Sequence, residues 1–142
     1  MIVEIASRVR ETLLAEVVAA AGDECCGLLL GAPGRITALV PARNAAADPA
    51  RSFEIEPATL LRTHREARGR GEQVIGHYHS HPNGRPEPSL RDAARAVGNG
   101  EIWLIIAAGT LNAWAVVGND PGGSAVHGRF LPVTLHISPV AA

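Results

Sequence analysis

Three histidines alternate within five residues, His77-Tyr78-His79-Ser80-His81, and Pro82 follows. A neutral imidazole nitrogen binds zinc at about 2.0–2.1 Å. On an extended strand, side chains two positions apart leave the same face roughly 6–7 Å apart. Two of these rings can therefore close on one metal ion. Strand geometry alone leaves two pairs open, His77 with His79 and His79 with His81. The plain alternative is a polar strand face, or a single core histidine with ordinary hydrogen bonds. Three histidines in five residues, ended by proline, favour the metal.

Seven residues separate His81 from Ser89, and two more precede Asp92. Ser89 is a good helix N-cap and Asp92 stands at the third helical position, a pairing worth about 1 kcal/mol by itself. Asp92 also brings a carboxylate to the end of a loop that starts at the histidines, where it would supply a third, oxygen ligand. Two histidines and one carboxylate leave a fourth position for water, the donor set of a catalytic zinc site. Water on zinc ionises near pH 7. Its proton must go to a carboxylate that lies beside the metal without binding it. Composition does not select that residue. Glu24 is a candidate because it immediately precedes a buried-looking apolar run, although an acid there can also be a simple edge or cap residue.

The elements that must position these groups are readable. Residues 1–6 form a short strand. Ser7 caps a helix over 8–21, with Val9, Leu13, Leu14, Val17, Val18 and Ala21 on one face and Gly22 as its stop. Residues 25–31 are continuously apolar, as in a strand buried on both faces. Pro33-Gly34 turns the chain into a hairpin partner at 35–41. A polar loop spans 42–52, and 53–56 form a short strand. Pro57 opens a helix to Arg68, ended by Gly69 and Gly71. Residues 73–80 are the histidine strand, 82–88 a loop, and 89–97 a short helix. A hairpin over 101–107 and 111–118 turns about Gly109-Thr110. A loose turn at 118–123 and two strands near 126–131 and 133–138 close the chain. This order predicts an α/β (α+β) fold with a mixed, largely antiparallel sheet flanked by helices.

With 142 residues, 46% hydrophobic and 19% charged, the chain is long and apolar enough to act as one domain, residues 1–142. That composition excludes disorder. A net charge of −1 argues against nucleic acid as a partner. No apolar run reaches the roughly 18 residues of a membrane span, and Met1-Ile2-Val3-Glu4 lacks the basic start of a signal peptide. The two cysteines are adjacent, Cys25 and Cys26, so they read as reduced core residues of a cytoplasmic protein.

Glu24 followed by His79-Ser80-His81, seven residues, Ser89, two residues and Asp92 resembles the signature of the JAMM (MPN+) zinc metalloproteases: a glutamate, then H-x-H-x7-S-x2-D. The segments 24–31, Asn44 to Pro57 and Gly76-His77-Tyr78-His79 also resemble bacterial, stand-alone members, so the resemblance spans nearly the whole chain. It implies an MPN/JAMM fold, related to that of cytidine deaminases, although the deaminases' own H-x-E…P-C-x-x-C pattern is absent. It implies one Zn²⁺ per chain on His79, His81 and Asp92, with His77 outside the metal's ligands. Glu24 becomes the general base and then acid. Ser89 becomes the donor to the developing oxyanion. Ser80 is structural, and His64, His127 and His136 are ordinary residues.

The resemblance implies a peptidase or isopeptidase acting after the C-terminal Gly-Gly of a ubiquitin-like or sulfur-carrier protein. That tail would bind as an extended strand against an exposed sheet edge. A homodimer is compatible with it. The alternatives are a non-catalytic MPN-type partner-binding scaffold and a DNA-associated member. The complete motif argues against the first, and the near-neutral charge against the second.

Overall fold

The computed structural model describes residues 1–97, 100–118 and 123–139. In chain order the elements are β1 (Ile2–Ala6), α1 (Ser7–Ala19), β2 (Cys26–Ala32), β3 (Arg35–Ala42), α2 (Pro57–Gly69), β4 (Gln73–Ser80), α3 (Leu90–Arg95), β5 (Ile102–Ala107), β6 (Thr110–Val116) and β7 (Phe130–Ser138). The strands close into one barrel in the order β1-β3-β2-β4-β5-β6-β7, with β7 returning to β1. The β2–β3, β2–β4, β5–β6 and β6–β7 ladders are antiparallel. The β1–β3, β1–β7 and β4–β5 ladders are parallel, so the sheet is mixed. Closure removes the free terminal strand expected as a docking edge. The shortest ladder is β1–β3, paired only at Glu4–Arg35 and Ile5–Ile36.

The core follows the two-residue period of the strands. Along β5, Ile102, Leu104 and Ile106 enter one apolar cluster with Val3, Ile5, Leu29 and Tyr78, and with Val9 and Leu13 of α1. Trp103 and Ile105 enter a second with Trp114, Val116 and Phe130. Such strands are apolar throughout because both faces are covered. Two glycines permit the close approaches around β4. A Cβ at Gly76 would collide with the Ile102 carbonyl, and one at Gly27 with the Tyr78 ring. The Tyr78 hydroxyl, buried on the α1 side, donates to Glu16 Oε2 at 2.7 Å.

Several boundaries differ from the sequence reading for local reasons. Ala6, not Ser7, is the N-cap of α1, and no side chain caps that helix. Val18 faces solvent, 81% exposed, because α1 is buried chiefly through Val9 and Leu13. The expected strand at 53–56 is a single bridge, Asn44–Ile55. The two terminal strands are one, β7, preceded by a bridge from Val126 to Phe130. The β5–β6 hairpin turns at Ala108-Gly109, both at positive φ (52° and 76°), the backbone of a two-residue primed turn. Residues 119–122 of the expected 118–123 turn lie outside the described residues.

Candidate metal centre

The site forms where the start of β2, the end of β4 and the start of α3 meet. Ser80 joins the first two. Its N–H donates to the Cys25 carbonyl at 3.0 Å, and its hydroxyl accepts from the Cys25 N–H at 2.9 Å. Ser80 is thus the structural residue expected of it. Glu24, one residue earlier, is buried (7% exposed). Its N–H donates to the Pro49 carbonyl at 2.7 Å, and its carbonyl accepts from Asn44 Nδ2 at 2.9 Å. Asn44 also donates to the Ser52 carbonyl and accepts from the Ala46 and Glu54 N–H groups. One side chain thereby ties the whole 44–54 loop to Glu24. This role of Asn44 is not legible in the sequence, because an asparagine in a polar loop carries no signal of what it will bind.

Asp92 is held by a six-residue helix with a complete capping box. Its N–H donates to Ser89 Oγ at 3.0 Å, and its Oδ2 accepts from the Ser89 N–H at 2.8 Å. His81 Nδ1 donates to the Arg85 carbonyl at 2.7 Å, so in the neutral ring Nε2 is the nitrogen left to bind a metal. A hydrogen bond of this kind fixes the tautomer of metal-binding histidines. The Pro86 and Pro88 carbonyls accept from Trp114 Nε1 at 3.2 Å and His127 Nε2 at 3.0 Å. Three side chains therefore pin the 82–88 loop, and His127 has a more specific place than an ordinary surface residue.

The donor atoms converge. His79 Nε2 lies 3.1 Å from His81 Nε2, and Asp92 Oδ2 is 3.3 Å and 3.2 Å from them. Tetrahedral bonds of 2.0–2.1 Å separate ligand atoms by about 3.3–3.4 Å, so the trio already has the spacing of three zinc ligands. Glu24 offers a carboxylate oxygen within 4.8 Å of a nitrogen of each of these histidines. His77 is not in this group. Its Nδ1 faces Glu101 Oε1 at 2.8 Å, and its ring lies between Phe53 and Trp103. Of the two histidine pairs, His79 with His81 is the one whose nitrogens meet. Glu24, His81, Ser89, Arg51, Arg91 and His127 line a cleft of about 820 Å³. A second cavity, about 920 Å³, touches Phe53, His77 and Trp103 but none of the converging donors.

Electrostatics reflect the burial. Desolvation raises the Glu24 carboxyl to about 7, against partial relief from His81 and from Arg95 and Arg91. Burial lowers His79 to about 4. At His81 burial acts downward, but the Asp92 and Arg85 hydrogen bonds outweigh it and leave the group raised. At Asp92 burial acts upward, and the hydrogen bonds with both histidines reverse it, holding the carboxyl well below its ordinary value. Cys25 and Cys26 are free and buried, and desolvation pushes Cys26 up to about 12. They are inert core thiols. His64 and His136 are exposed, the latter 4.0 Å from Glu4.

Two imidazole nitrogens and a carboxylate converge at the floor of a cleft that His81 and Glu24 line, the donor set of a metal-dependent hydrolase. Residues 6–117 match the family of prokaryotic homologs of the JAB domain. The chain is 35% identical over 107 residues to a desampylase of Haloferax volcanii, covering 71% of this chain and 77% of that protein. It is 33% identical over 100 residues to a desampylase of Pyrococcus furiosus, covering 70% and 71%. Among solved structures it resembles a JAB1/MPN domain protein from Archaeoglobus fulgidus, with TM-score 0.60, 18% identity and 96% of each chain covered. It also resembles a structure described as a metalloprotease-like zinc site in the proteasome and signalosome, with TM-score 0.59, 17% identity and 97% and 99% coverage. The chain belongs to the prokaryotic JAB-domain branch of the JAMM (MPN+) family. Among the described residues, no helix is long and apolar enough to cross a membrane.

Proposed function

We propose that this chain, as one domain, is a zinc-dependent isopeptidase. It would hydrolyse the bond after the C-terminal Gly-Gly of a ubiquitin-like protein, a small sulfur carrier included, in the cytoplasm. The observation that carries the reading is the trio of His79 Nε2, His81 Nε2 and Asp92 Oδ2 at mutual distances of 3.1–3.3 Å, with the Glu24 carboxylate beside it. The desampylase relatives support the substrate class.

His79, His81 and Asp92 would hold the zinc. Bound there, zinc supplies an acidified water and polarises the scissile carbonyl. Glu24 takes the proton from the attacking water on its carboxylate and returns it to the leaving amine as the C–N bond breaks. One water is consumed and the products are a carboxylate and an amine. Without the metal, burial raises this carboxyl to about 7, the direction that lets it take up and hold a proton. The Ser89 oxygen accepts from the Asp92 N–H, so its own proton is available for the developing oxyanion. The cleft takes the substrate tail as an extended segment, and glycines pass most easily beside the walls at Glu24 and His81.

The test is native mass spectrometry with and without a strong chelator, followed by cleavage of a ubiquitin-like protein extended past Gly-Gly. The expected result is one zinc per chain, lost in the His79→Ala, His81→Ala double variant, and cleavage after the second glycine. A wild-type protein that stays zinc-free after reloading overturns the reading and leaves the partner-binding scaffold. Zinc without cleavage of such tails overturns the substrate class alone.

A further inference from the structure

We propose that His77 is a positioning residue for the metal ligand His79, joined to it through one bridging water and anchored by Glu101. The inference rests on the zinc reading above and extends it to a residue outside the ligand set.

Buried polar atoms are almost always hydrogen-bonded. Among the described residues, two buried side-chain nitrogens lack a partner, His77 Nε2 and His79 Nδ1. They belong to residues two apart on β4, facing the same side, with ring centroids 5.6 Å apart and planes 28° from parallel. Stacked rings do not bond directly to each other, but a water between two such nitrogens satisfies both.

The proton count fits. A neutral His79 that binds metal through Nε2 carries its hydrogen on Nδ1, a donor in want of an acceptor. His77 Nδ1 lies 2.8 Å from a Glu101 carboxylate oxygen, which only accepts. A neutral His77 in this bond carries its hydrogen on Nδ1 and presents Nε2 as an acceptor in want of a donor. A water that accepts from His79 and donates to His77 completes one directed chain from the metal ligand to Glu101. Phe53 stacks on His79 at 4.2 Å and lies 5.1 Å from His77, and Trp103 lies 4.2 Å from His77. These aromatic rings pack against both imidazoles and fix their positions. Partners of this kind fix the tautomer and raise the basicity of a ligating histidine, and their loss lowers metal affinity about 10–100-fold.

The experiment uses the full-length zinc-loaded protein. Imidazole ¹⁵N shifts report the tautomers, and chelator competition reports zinc affinity for the wild type, His77→Phe and His77→Gln. The expected result is His77 protonated on Nδ1, zinc binding weakened about 10–100-fold in His77→Phe, and partial recovery in His77→Gln, whose carbonyl still accepts from the water. His77 protonated on Nε2 overturns the proposal. So does a folded His77→Phe that binds zinc as the wild type does. If His77→Phe fails to fold, the wild-type tautomer decides. A wild type without zinc affinity removes the metal reading and this inference together, whereas zinc binding with the wrong tautomer removes only this one.

Discussion

Two helices of this protein begin in opposite ways. α1 runs thirteen residues, has no side-chain cap, and is held by Val9 and Leu13 in the barrel core. α3 runs six residues, too short to persist alone, yet both halves of its capping box are made, with an acid in its first turn and Arg95 in its last. Arg95 also donates to the Phe53 carbonyl and to Ser52 Oγ, stitching α3 to the wall of the site. The long helix carries no chemistry and is secured by packing, which tolerates small shifts. The short one carries Asp92, the proposed metal ligand, whose Oδ2 would have to be held to within about half an ångström, and directional hydrogen bonds do that. Damage around α3 should therefore reduce turnover before stability, and damage in α1 should do the reverse.

The largest expected effect is at Glu24, across the cleft from α3. Glu24→Gln should retain zinc and lose about 10²–10⁴-fold in kcat, as checked by metal content and steady-state rates. Turnover at the wild-type rate would remove Glu24 as the base. The same variant has a second signature in chelator-treated protein. Burial raises the Glu24 carboxyl from 4.5 to about 7, so between those values the folded state binds the proton more tightly than the unfolded state. Wild-type stability then falls as pH rises through that window. Glu24→Gln removes the titration, so its Tm should exceed that of the wild type at pH 8 and converge with it below pH about 4.5.

Next is Ser89, where the comparison is sharpest because the proposed mechanism gives the capping hydroxyl a second, chemical role. Ser89→Ala should lower kcat about 10²–10³-fold, with little change in KM, and stability by about 1 kcal/mol. Ser89→Thr keeps both functions and should restore both. Stability loss with unchanged kcat would reduce Ser89 to a cap.

What the sequence disclosed divides along the same line. Strands such as β2 and β5 were legible because both their faces are covered, so their residues are apolar without interruption. The meeting of Ser89 with Asp92 was legible because a capping box is local, its two residues three positions apart. The convergence of His79, His81 and Asp92 was legible only through the JAMM resemblance, because spacing alone also left His77 with His79 open. Barrel closure was not legible, because β7 pairs with β1 across more than 120 residues and nothing local encodes it. Nor were Asn44 and His127, whose hydrogen bonds to Glu24 and Pro88 depend on loops brought together by the fold. His77 was legible as a histidine on the right strand, but its pairing with Glu101 depends on the parallel β4–β5 register.

The remaining tests lie in α1. Leu13 is fully buried, and Leu13→Ala should cost about 2–5 kcal/mol in denaturant melts while kcat of the folded protein is unchanged. A matching loss of kcat would mean that α1 packing reaches the metal centre. The smallest effect is at Ser7, where the sequence suggests a cap worth about 1 kcal/mol. Ser7 is instead the first helical residue, and Ala6 occupies the cap position with extended backbone, φ −64° and ψ 139°. Ser7→Ala should therefore leave Tm unchanged or slightly higher, since alanine is the better helix former. Ala6→Ser places an acceptor where the free N–H groups of the first turn are, and should add about 0.5–2 kcal/mol. A loss of about 1 kcal/mol at Ser7, with no gain at Ala6, would return the cap to Ser7 and end the contrast between a helix begun by packing and a helix begun by hydrogen bonds.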